Sequence, residues 1–393
     1  MNDLKQLKMS LKAFLPPRLE RFEAILRSAD DRLWNYCQYV LDKNEDHANI
    51  YELCALREFC KKLDNENIQF DVESIQRKIR AFERLKSDTM YGSKTITATM
   101  FQVYILANIY GFTVEKGGRQ VRLVTDADLF IPRKFGKTHI GAFVAYVEFF
   151  SGDHDAEIYC CANAQSQAKI AYSATRNFIQ QTVGYDSNLV RFTATECNWI
   201  EGNKYARKAS LNLLSAGGKA KDGLKASFRW ADEYGSAAYV KDHSDMDNLV
   251  KVIDSSMGPR FSPLRLTTTT AGRISSGPYM LRLEALQNAL VNNTLPQETF
   301  AYILQPDPWE ITDEELCLSS PTIWRKVNKH IGITIQPDFY EKEIERVRLD
   351  PDYKKEFFTK LLNIWQTDKA VDWIKPEEIR ALQTDRTIDD CTA

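Results

Sequence analysis

The sequence predicts an α/β fold, a mostly parallel sheet with helices on both faces. Three observations predict it. Short apolar strand-like runs alternate with helix-like runs from about residue 96 onward, the pattern of a parallel sheet covered on both sides. One run, Ala127 to Ile131, leads through Pro132-Arg133-Lys134-Phe135-Gly136-Lys137-Thr138 into an apolar helical run, His139 to Phe150. A later run, Phe228-Arg229-Trp230-Ala231, ends in the adjacent carboxylates Asp232-Glu233. Ligands of such sheets bind beyond the carboxyl ends of the strands, which is where both motifs fall.

Residues 1 to about 95 read as helical. Leu33 to Leu41 and Ile50 to Leu63 carry apolar residues at three- and four-residue spacing, and Asp71 to Leu85 does so behind a capping Asp71 followed by Glu73. Phe101 to Tyr110 is an apolar helix ending at Gly111. Val121 to Val124 and Ala127 to Ile131 are strands leading to the Gly-Lys-Thr turn. Glu157 to Ala162 is a strand followed by a helix from about Ser166 to Gln181, and Arg191 to Glu196, Ser210 to Leu214, Ser227 to Ala231 and Leu264 to Thr269 are further strands. After about residue 275 the chain reads as helical again: Tyr279 to Val291, then Pro337 to Arg346 and Asp350 to Ile364. An acidic loop, Asp307 to Glu315, lies between, and Pro376 to Ala393 is a polar tail. The expected divisions are a helical appendage over 1–95, a nucleotide-binding core over 96–320 and a helical linker over 321–393.

Strand, Gly-Lys-Thr turn and helix are the context of a phosphate-binding loop. The N–H groups of the turn and of the helix start face an anion. Lys137 reaches the outer phosphates, and the Thr138 hydroxyl is placed to hold Mg²⁺. The loop is unusual in having Ile131 where the first glycine normally stands, and an arginine, Arg133, within it. Asp232, at the end of a buried strand, suits the Mg²⁺ shell, and Glu233 suits activation of the attacking water. The alternative for each motif is a solvated turn. Against it stand the apolar strand before the loop, the buried helix after it, and Phe228 and Trp230 before the acidic pair. Thr267-Thr268-Thr269-Thr270-Ala271-Gly272 ends another apolar strand, where Thr269 and its neighbours would bond the γ-phosphate or the water; a β-prone strand leaving through a glycine turn is the equal alternative. Lys204 to Arg229 is the strongly basic stretch, with Lys204, Arg207, Lys208, Lys219, Lys221, Lys225 and Arg229 against Asp222 alone. Gly217-Gly218 and Gly223 make part of it a mobile loop. It would touch a polyanion or reach a neighbouring subunit's phosphates, or it is a solvated loop.

Bulk properties exclude other classes. The formal charge is −2, from 52 Lys and Arg against 54 Asp and Glu, so no global field draws the chain to nucleic acid. The eight cysteines have no metal-ligand spacing and the five histidines form no cluster, which argues for free thiols and against zinc. There is no charged-then-apolar leader, and no apolar run approaches a bilayer span. The expectation is a soluble, intracellular protein.

With these residues in view, the chain resembles the large terminase subunit of tailed bacteriophages, the motor that packages DNA into procapsids. The Arg133-Lys134-Phe135-Gly136-Lys137-Thr138 loop is similar to that family's deviant phosphate loop, Ser227 to Glu233 to its acidic strand, and Leu266 to Gly272 to its Thr-rich coupling motif. Gln102, in Met100-Phe101-Gln102, matches its adenine-side glutamine. Trp324, Asn328 and Asn363-Ile364-Trp365 match later landmarks. The resemblance spans roughly residues 50 to 375 and keeps motif order. It implies a RecA-like P-loop NTPase core with ATP and Mg²⁺ as cofactors. Gln102, Arg133, Lys134, Gly136, Lys137, Thr138 and Thr269 would bind the nucleotide, and Thr138 and Asp232 the metal. Arg133, Lys137 and Glu233 would be catalytic, with Arg133 sensing the γ-phosphate. It also implies a homo-oligomeric ring on a portal protein, with double-stranded DNA and a small terminase subunit as partners, in the cytoplasm of an infected bacterial host and without a membrane.

Two departures shape the expectation. The family usually continues into a nuclease domain with clustered carboxylates, and no such cluster follows here, so no DNA cleavage is expected of this chain. The family also offers an arginine as a finger acting in trans; here the candidates are Lys219, Lys221 and Lys225, then Arg207. Two other functions compete. One is a non-catalytic nucleotide-binding module that docks portal, small subunit or DNA. The other is a helicase-type translocase, which needs a second recombinase-like lobe that the helical segment after Thr270 leaves little room for.

Overall fold

Among the described residues, eight strands form the central sheet: β1 Asp126–Phe130, β2 Asp155–Ala162, β3 Val190–Phe192, β4 Glu196–Trp199, β5 Lys208–Ser215, β6 Phe228–Asp232, β7 Leu264–Thr269 and β8 Thr299–Ile303. Their spatial order is β8-β1-β7-β6-β2-β5-β4-β3. The pairs from β8 to β5 are parallel, and β4 and β3 close one edge as antiparallel strands. The computed structural model describes residues 1–89, 92–202, 205, 207–216, 223–240, 244–273 and 277–366.

The register places the site. Thr269 pairs with Phe130, Thr268 with Leu129 and Asp232, and Asp232 with Ala162. Phosphate-loop strand β1 and acidic strand β6 are therefore not neighbours: the Thr-rich strand β7 lies between them, and the three carboxyl ends finish within one residue of one another.

Alternation along β6 shows how the faces are covered. Trp230 points to the helix Lys137–Ser151, while Arg229 points the other way to Asp254 in the helix Asp245–Ser255, at 2.8 and 3.1 Å. Helix and sheet approach so closely at Gly141 that a Cβ there would lie 2.2 Å from the Trp230 ring. Arg229 is thus a buried structural cation and not part of an exposed basic loop; the alternation that buries Trp230 on one face buries it on the other.

The N-terminal helices join the same apolar cluster as the sheet, which runs from Leu11 to Leu304. Helix Ile50–Asp64 starts with a capping box, Asn49 with Glu52. The Asn49 amide also donates to the Ile303 and Gln305 carbonyls, both at 2.9 Å, at the end of β8. A second cluster, Cys317 to Ile364, packs the C-terminal helices. A buried ionic knot joins the two. The Lys326 ammonium meets Asp46 at 2.5 Å, Glu310 at 2.6 Å and Asp307 at 3.0 Å, and Lys8 meets Asp307 at 2.6 Å and Asp46 at 2.7 Å. Asp46, Asp307 and Glu310 stand close enough to hold a metal ion, but Lys326 and Lys8 already pair with them, and Lys12 lies 3.4 Å from Asp46.

Several elements differ from the sequence reading. Edge strand β8 lies in the stretch read as helical; its buried run Phe300-Ala301-Tyr302-Ile303 has no period-2 alternation because it is covered on both faces. Asp307 to Glu315, read as a loop, includes the short helix Pro308–Ile311 and the start of Glu314–Ser319. Arg119–Arg122 does not enter the main sheet; it pairs with Phe112–Lys116, which pairs with Gln69–Phe70. A hairpin, Lys86–Thr89 with Gly92–Thr95, ends the region read as wholly helical. Arg191 to Glu196 divides between β3 and β4. The tail Pro376 to Ala393 lies outside the described residues. The cysteines among the described residues are buried free thiols, and no helix among them is long and apolar enough to cross a membrane.

Gly141→Ala is expected to destabilise by about 1–3 kcal/mol through overpacking against Trp230, read as a lowered urea midpoint at unchanged slope. The ionic knot yields an acid signature. Burial would raise the Asp46 carboxyl, but Lys326 and Lys8 outweigh it and hold it well below its ordinary value. A carboxyl depressed in the folded state stabilises above its unfolded pKa and loses that contribution as pH falls through the folded one. Lys326→Met is expected to cost about 3–5 kcal/mol at pH 7 by stranding buried carboxylates. Urea titrations of parent and variant should show the gap narrowing below about pH 4, the unfolded carboxyl range; a gap independent of pH would count against the ionic origin.

Candidate active site

The turn after β1 is shaped by its backbone. Ile131 N–H donates to the Thr269 carbonyl at 3.1 Å, extending the strand pairing. Lys134 and Gly136 take left-handed conformations, φ 71° and 95°, before the helix begins at Lys137. Left-handed residues spaced this way turn successive N–H groups toward a common centre, an anion-binding concavity at a helix start. A Cβ on Gly136 would meet the Gln102 Nε2 at 3.3 Å, so glycine serves both the backbone angle and the approach of that amide. Gln102 is fixed by the capping box of helix Met100–Tyr110, its Oε1 accepting from Thr99 N–H at 3.0 Å.

Lys137 is buried and folds back over the loop. Its Nζ donates to the Ile131 and Pro132 carbonyls, both at 3.3 Å, and lies 3.7 Å from Glu233 Oε1. These contacts are long and therefore weak. Burial lowers the Lys137 pKa, opposed by Glu233 and Asp232. Thr138, half-buried, follows on the helix and lines the same cleft.

The two carboxylates differ in environment. Asp232 is buried and accepts from Thr268 Oγ1 at 2.7 Å, while that hydroxyl accepts from Trp230 Nε1 at 2.7 Å. Burial first, then the neighbouring Glu233 charge, raises Asp232 to about 6. Glu233 has left-handed backbone, φ 51°, a strain of about 1–3 kcal/mol for a non-glycine residue. Its N–H donates to the Thr268 carbonyl at 2.7 Å, which anchors the turn. Its Oε2 accepts from Thr270 Oγ1 at 3.1 Å. Burial would raise its pKa, but Lys137 and then Lys360 outweigh that and lower it. Adjacent carboxyls are thus driven in opposite directions, a feature of acid–base sites.

The threonine row divides its work differently from the sequence reading. Thr268 and Thr270 hold the two carboxylates. Thr269 turns away: its Oγ1 accepts from Gly235 N–H at 2.8 Å and donates to the Thr270 carbonyl at 3.0 Å. Side chains alternate along a strand, so Thr269 cannot share the side used by its neighbours.

Arg133 and Lys134 are exposed. The Arg133 guanidinium meets Glu356 Oε1 at 3.1 Å, and Arg273 meets the other oxygen at 3.2 Å. Arg133 therefore points to the C-terminal segment and not into the loop. Lys219, Lys221 and Lys204 lie outside the described residues. Arg207 donates to the Phe149, Glu148 and Gly152 carbonyls at 2.8, 3.2 and 3.3 Å, at the far end of the 15-residue helix that starts at Lys137. At 1.5 Å per residue that is roughly 20 Å from the loop. Lys225 precedes β6, at the amino end of the sheet, where its carbonyl accepts from Arg260 Nε at 3.1 Å. Neither cation approaches this chain's own site.

The C-terminal segment adds contacts that the sequence reading did not assign: it left out His330 and Lys360, and it named Asn328 and Asn363 only as family landmarks. His330 stacks on Phe135 at 4.4 Å and 17°, and burial lowers its pKa to about 4, so it is a neutral plate beside the loop. Asn328 Nδ2 donates to the Arg133 carbonyl at 2.9 Å. Asn363 accepts from Ala271 N–H at 2.8 Å and donates to the Leu304 carbonyl at 2.7 Å. Lys360 donates to Thr270 Oγ1 at 2.9 Å. Asn363 lies in the apolar run Leu361 to Trp365, whereas Asn328 has charged neighbours; Lys360 carried no local signal. Loop, Gln102, Glu233, His330 and the hairpin edge at Lys94 to Thr97 enclose a cleft of about 800 Å³, of ligand-site size.

The residues fit a magnesium nucleotide. Thr138 and Asp232 offer hard oxygen donors of the kind Mg²⁺ takes, and phosphate oxygens would replace the long contacts of Lys137. Loop, additional central strand and acidic pair define a P-loop NTPase of the RecA-like class. Residues 100–287 match the family model described as terminase large subunit, ATPase domain. That segment of the chain is similar to the ATPase domain of that family. The solved large terminase of bacteriophage HK97 is similar at TM-score 0.57 and 18% identity, covering 74% of this chain and 55% of that one. The large terminase ATPase domain of Thermus phage P74-26 aligns at TM-score 0.40 and 15% identity, covering 60% of this chain and 86% of that one. Protein YmfN of Escherichia coli (strain K12) is 28% identical over 125 residues, 32% of this chain and 26% of that protein. The chain thus spans about half the length of the HK97 protein and about a quarter of YmfN.

Proposed function

We propose that this chain hydrolyses ATP with Mg²⁺ and that hydrolysis drives double-stranded DNA into a viral procapsid. The observation that carries the reading is the convergence of Lys137, Asp232, Glu233, Thr268 and Thr270 at three adjacent strand ends beside a left-handed glycine loop. Lys137 binds the β- and γ-phosphates after leaving the Ile131 and Pro132 carbonyls. Gln102 serves the adenine side, and Lys134 and Gly136 shape the phosphate cradle. Thr138 and Asp232 hold Mg²⁺, which when bound neutralises charge on the phosphate oxygens. Glu233 orients the attacking water and takes its proton. Arg133 exchanges Glu356 for the γ-phosphate.

Residues 96–320 are read as the ATPase unit, with 1–95 and 321–393 flanking it. The working form is a homo-oligomeric ring on a portal protein, with a small terminase subunit, in the host cytoplasm. Lys219, Lys221 or Lys225 reaches a neighbour's phosphates; the structural engagement of Arg207 removes it from that set.

Glu233→Gln is expected to keep ATP binding and lose about 10²–10⁴-fold in turnover. Lys137→Ala, which removes charge-assisted bonds, should weaken ATP binding by about 10- to 100-fold. Calorimetry and phosphate release measure the two effects. Unchanged binding in the lysine variant would move the site elsewhere. ATP binding without turnover by the assembled parent would favour the non-catalytic docking module, a reading that the outward-turned Arg133 supports.

A further inference from the structure

We propose that Lys360 is a positioning residue of the hydrolysis site, supplied in cis by the C-terminal segment and acting on Glu233 through Thr270. The inference rests on the reading of Glu233 as the base.

Lys360 stands on the π-helical turn Phe357–Leu361, far in sequence from every loop and strand motif. Turns of this kind inside helices often mark functional positions. It touches both halves of the site. Its carbonyl accepts from Arg133 N–H at 2.9 Å, in the phosphate loop. Its Nζ donates to Thr270 Oγ1 at 2.9 Å and to the Ala271 carbonyl at 3.1 Å, at the end of the Thr-rich strand. Thr270 Oγ1 lies 3.1 Å from Glu233 Oε2.

The direction of this chain of bonds follows from donor chemistry. An ammonium only donates and an ionised carboxylate only accepts. The Thr270 oxygen must therefore accept from Lys360, and its hydrogen must go to Glu233. Each bond polarises the next. The Thr270 hydroxyl, free to rotate on a surface, has here one orientation, and it fixes one oxygen of Glu233.

The other oxygen faces Lys137 at 3.7 Å. Glu233 is thus held between two lysines with different fates. Lys137 is the group that phosphates draw away. Once it leaves, the Thr270 backbone N–H and the Thr270 hydroxyl, oriented by Lys360, remain on a carboxylate whose backbone is strained. Lys360 therefore keeps the base aimed in the nucleotide-bound state, when aim matters. A 1 Å misplacement of a reacting group costs about 10²-fold in rate.

The test is steady-state ATPase with Mg²⁺, by the parent chain, Lys360→Met, Lys360→Arg, Thr270→Val, Thr270→Ser and the Lys360→Met/Thr270→Val double variant. Loss of aim should lower kcat by about 10- to 100-fold in Lys360→Met and Thr270→Val, with KM for ATP little changed. Lys360→Arg and Thr270→Ser should recover most of the rate. The double variant should lose no more than either single one, as expected of residues acting in one chain. Unchanged kcat in Lys360→Met overturns the proposal. So does a loss that neither conservative variant rescues, or one that follows Tm, since a merely structural lysine would behave that way. A second measurement needs no turnover: acetylation of lysines by acetic anhydride, read by mass spectrometry. Lys360 should react several-fold faster in Thr270→Val than in the parent, with exposed Lys342 as the reference. Equal rates overturn the proposal. An inactive parent with faster Lys360 labelling in Thr270→Val would instead defeat the reading of the chain as an ATPase and leave the Lys360–Thr270 hold standing.

Discussion

The structure depends on one pairing: β7 lies between β1 and β6, in a register that sets Thr269 beside Phe130 and Thr268 beside Asp232. Because Thr268 pairs with Asp232, its hydroxyl falls within 2.7 Å of that carboxylate, and its carbonyl takes the Glu233 N–H that starts the left-handed turn. A one-residue slip would send each of these side chains to the opposite face. The slip is prevented by large buried groups on both sides of β6. Trp230 fits only against Gly141, and Arg229 is bonded to Asp254, Thr267 and the Leu266 carbonyl. The apolar core thus specifies the geometry of the polar site.

Both chain ends reinforce that frame from outside the nucleotide-binding motifs. The N-terminal helices share the sheet's apolar core and tie to the end of β8 through Asn49. The C-terminal helices reach the phosphate loop through Asn328, His330, Glu356 and Lys360, and the Thr-rich strand's exit through Asn363. Trp365 covers Gly235 and Gly272, where any Cβ would collide with backbone. The loop therefore sits between two layers, the sheet behind it and the C-terminal segment across it. Any displacement of the loop by a bound nucleotide would be felt directly by Arg133 and, through Lys360, by the strand that holds the base.

Much of this was legible in the sequence because it is local. Gly136-Lys137-Thr138 between an apolar strand and an apolar helix, and Asp232-Glu233 after Phe228 and Trp230, are short patterns whose meaning survives without tertiary contacts. What was not legible is non-local. Thr269 was chosen over Thr268 and Thr270 because a run of four threonines has no marked member until the strand's register assigns faces. Arg133 was aimed at phosphate because its partner, Glu356, is more than two hundred residues away. β8 was missed because a strand covered on both faces has no alternation to read, and Lys360 because a lysine in a helical run looks solvated. The resemblance supplied motif order and Gln102. The Thr99–Gln102 capping box is a local pattern, but the close approach of the Gln102 amide to Gly136 appears only in three dimensions.

The central claim is that Lys137 is parked on its own loop and released by phosphate while Glu233 stays held by Thr270. A crystal structure of the chain with Mg²⁺ and a non-hydrolysable ATP analogue tests this most directly. The expected result is Lys137 Nζ on the terminal phosphates, away from the Ile131 and Pro132 carbonyls, with the Glu233–Thr270 bond intact. A nucleotide bound elsewhere, or one bound here with Lys137 still on those carbonyls, would contradict the account.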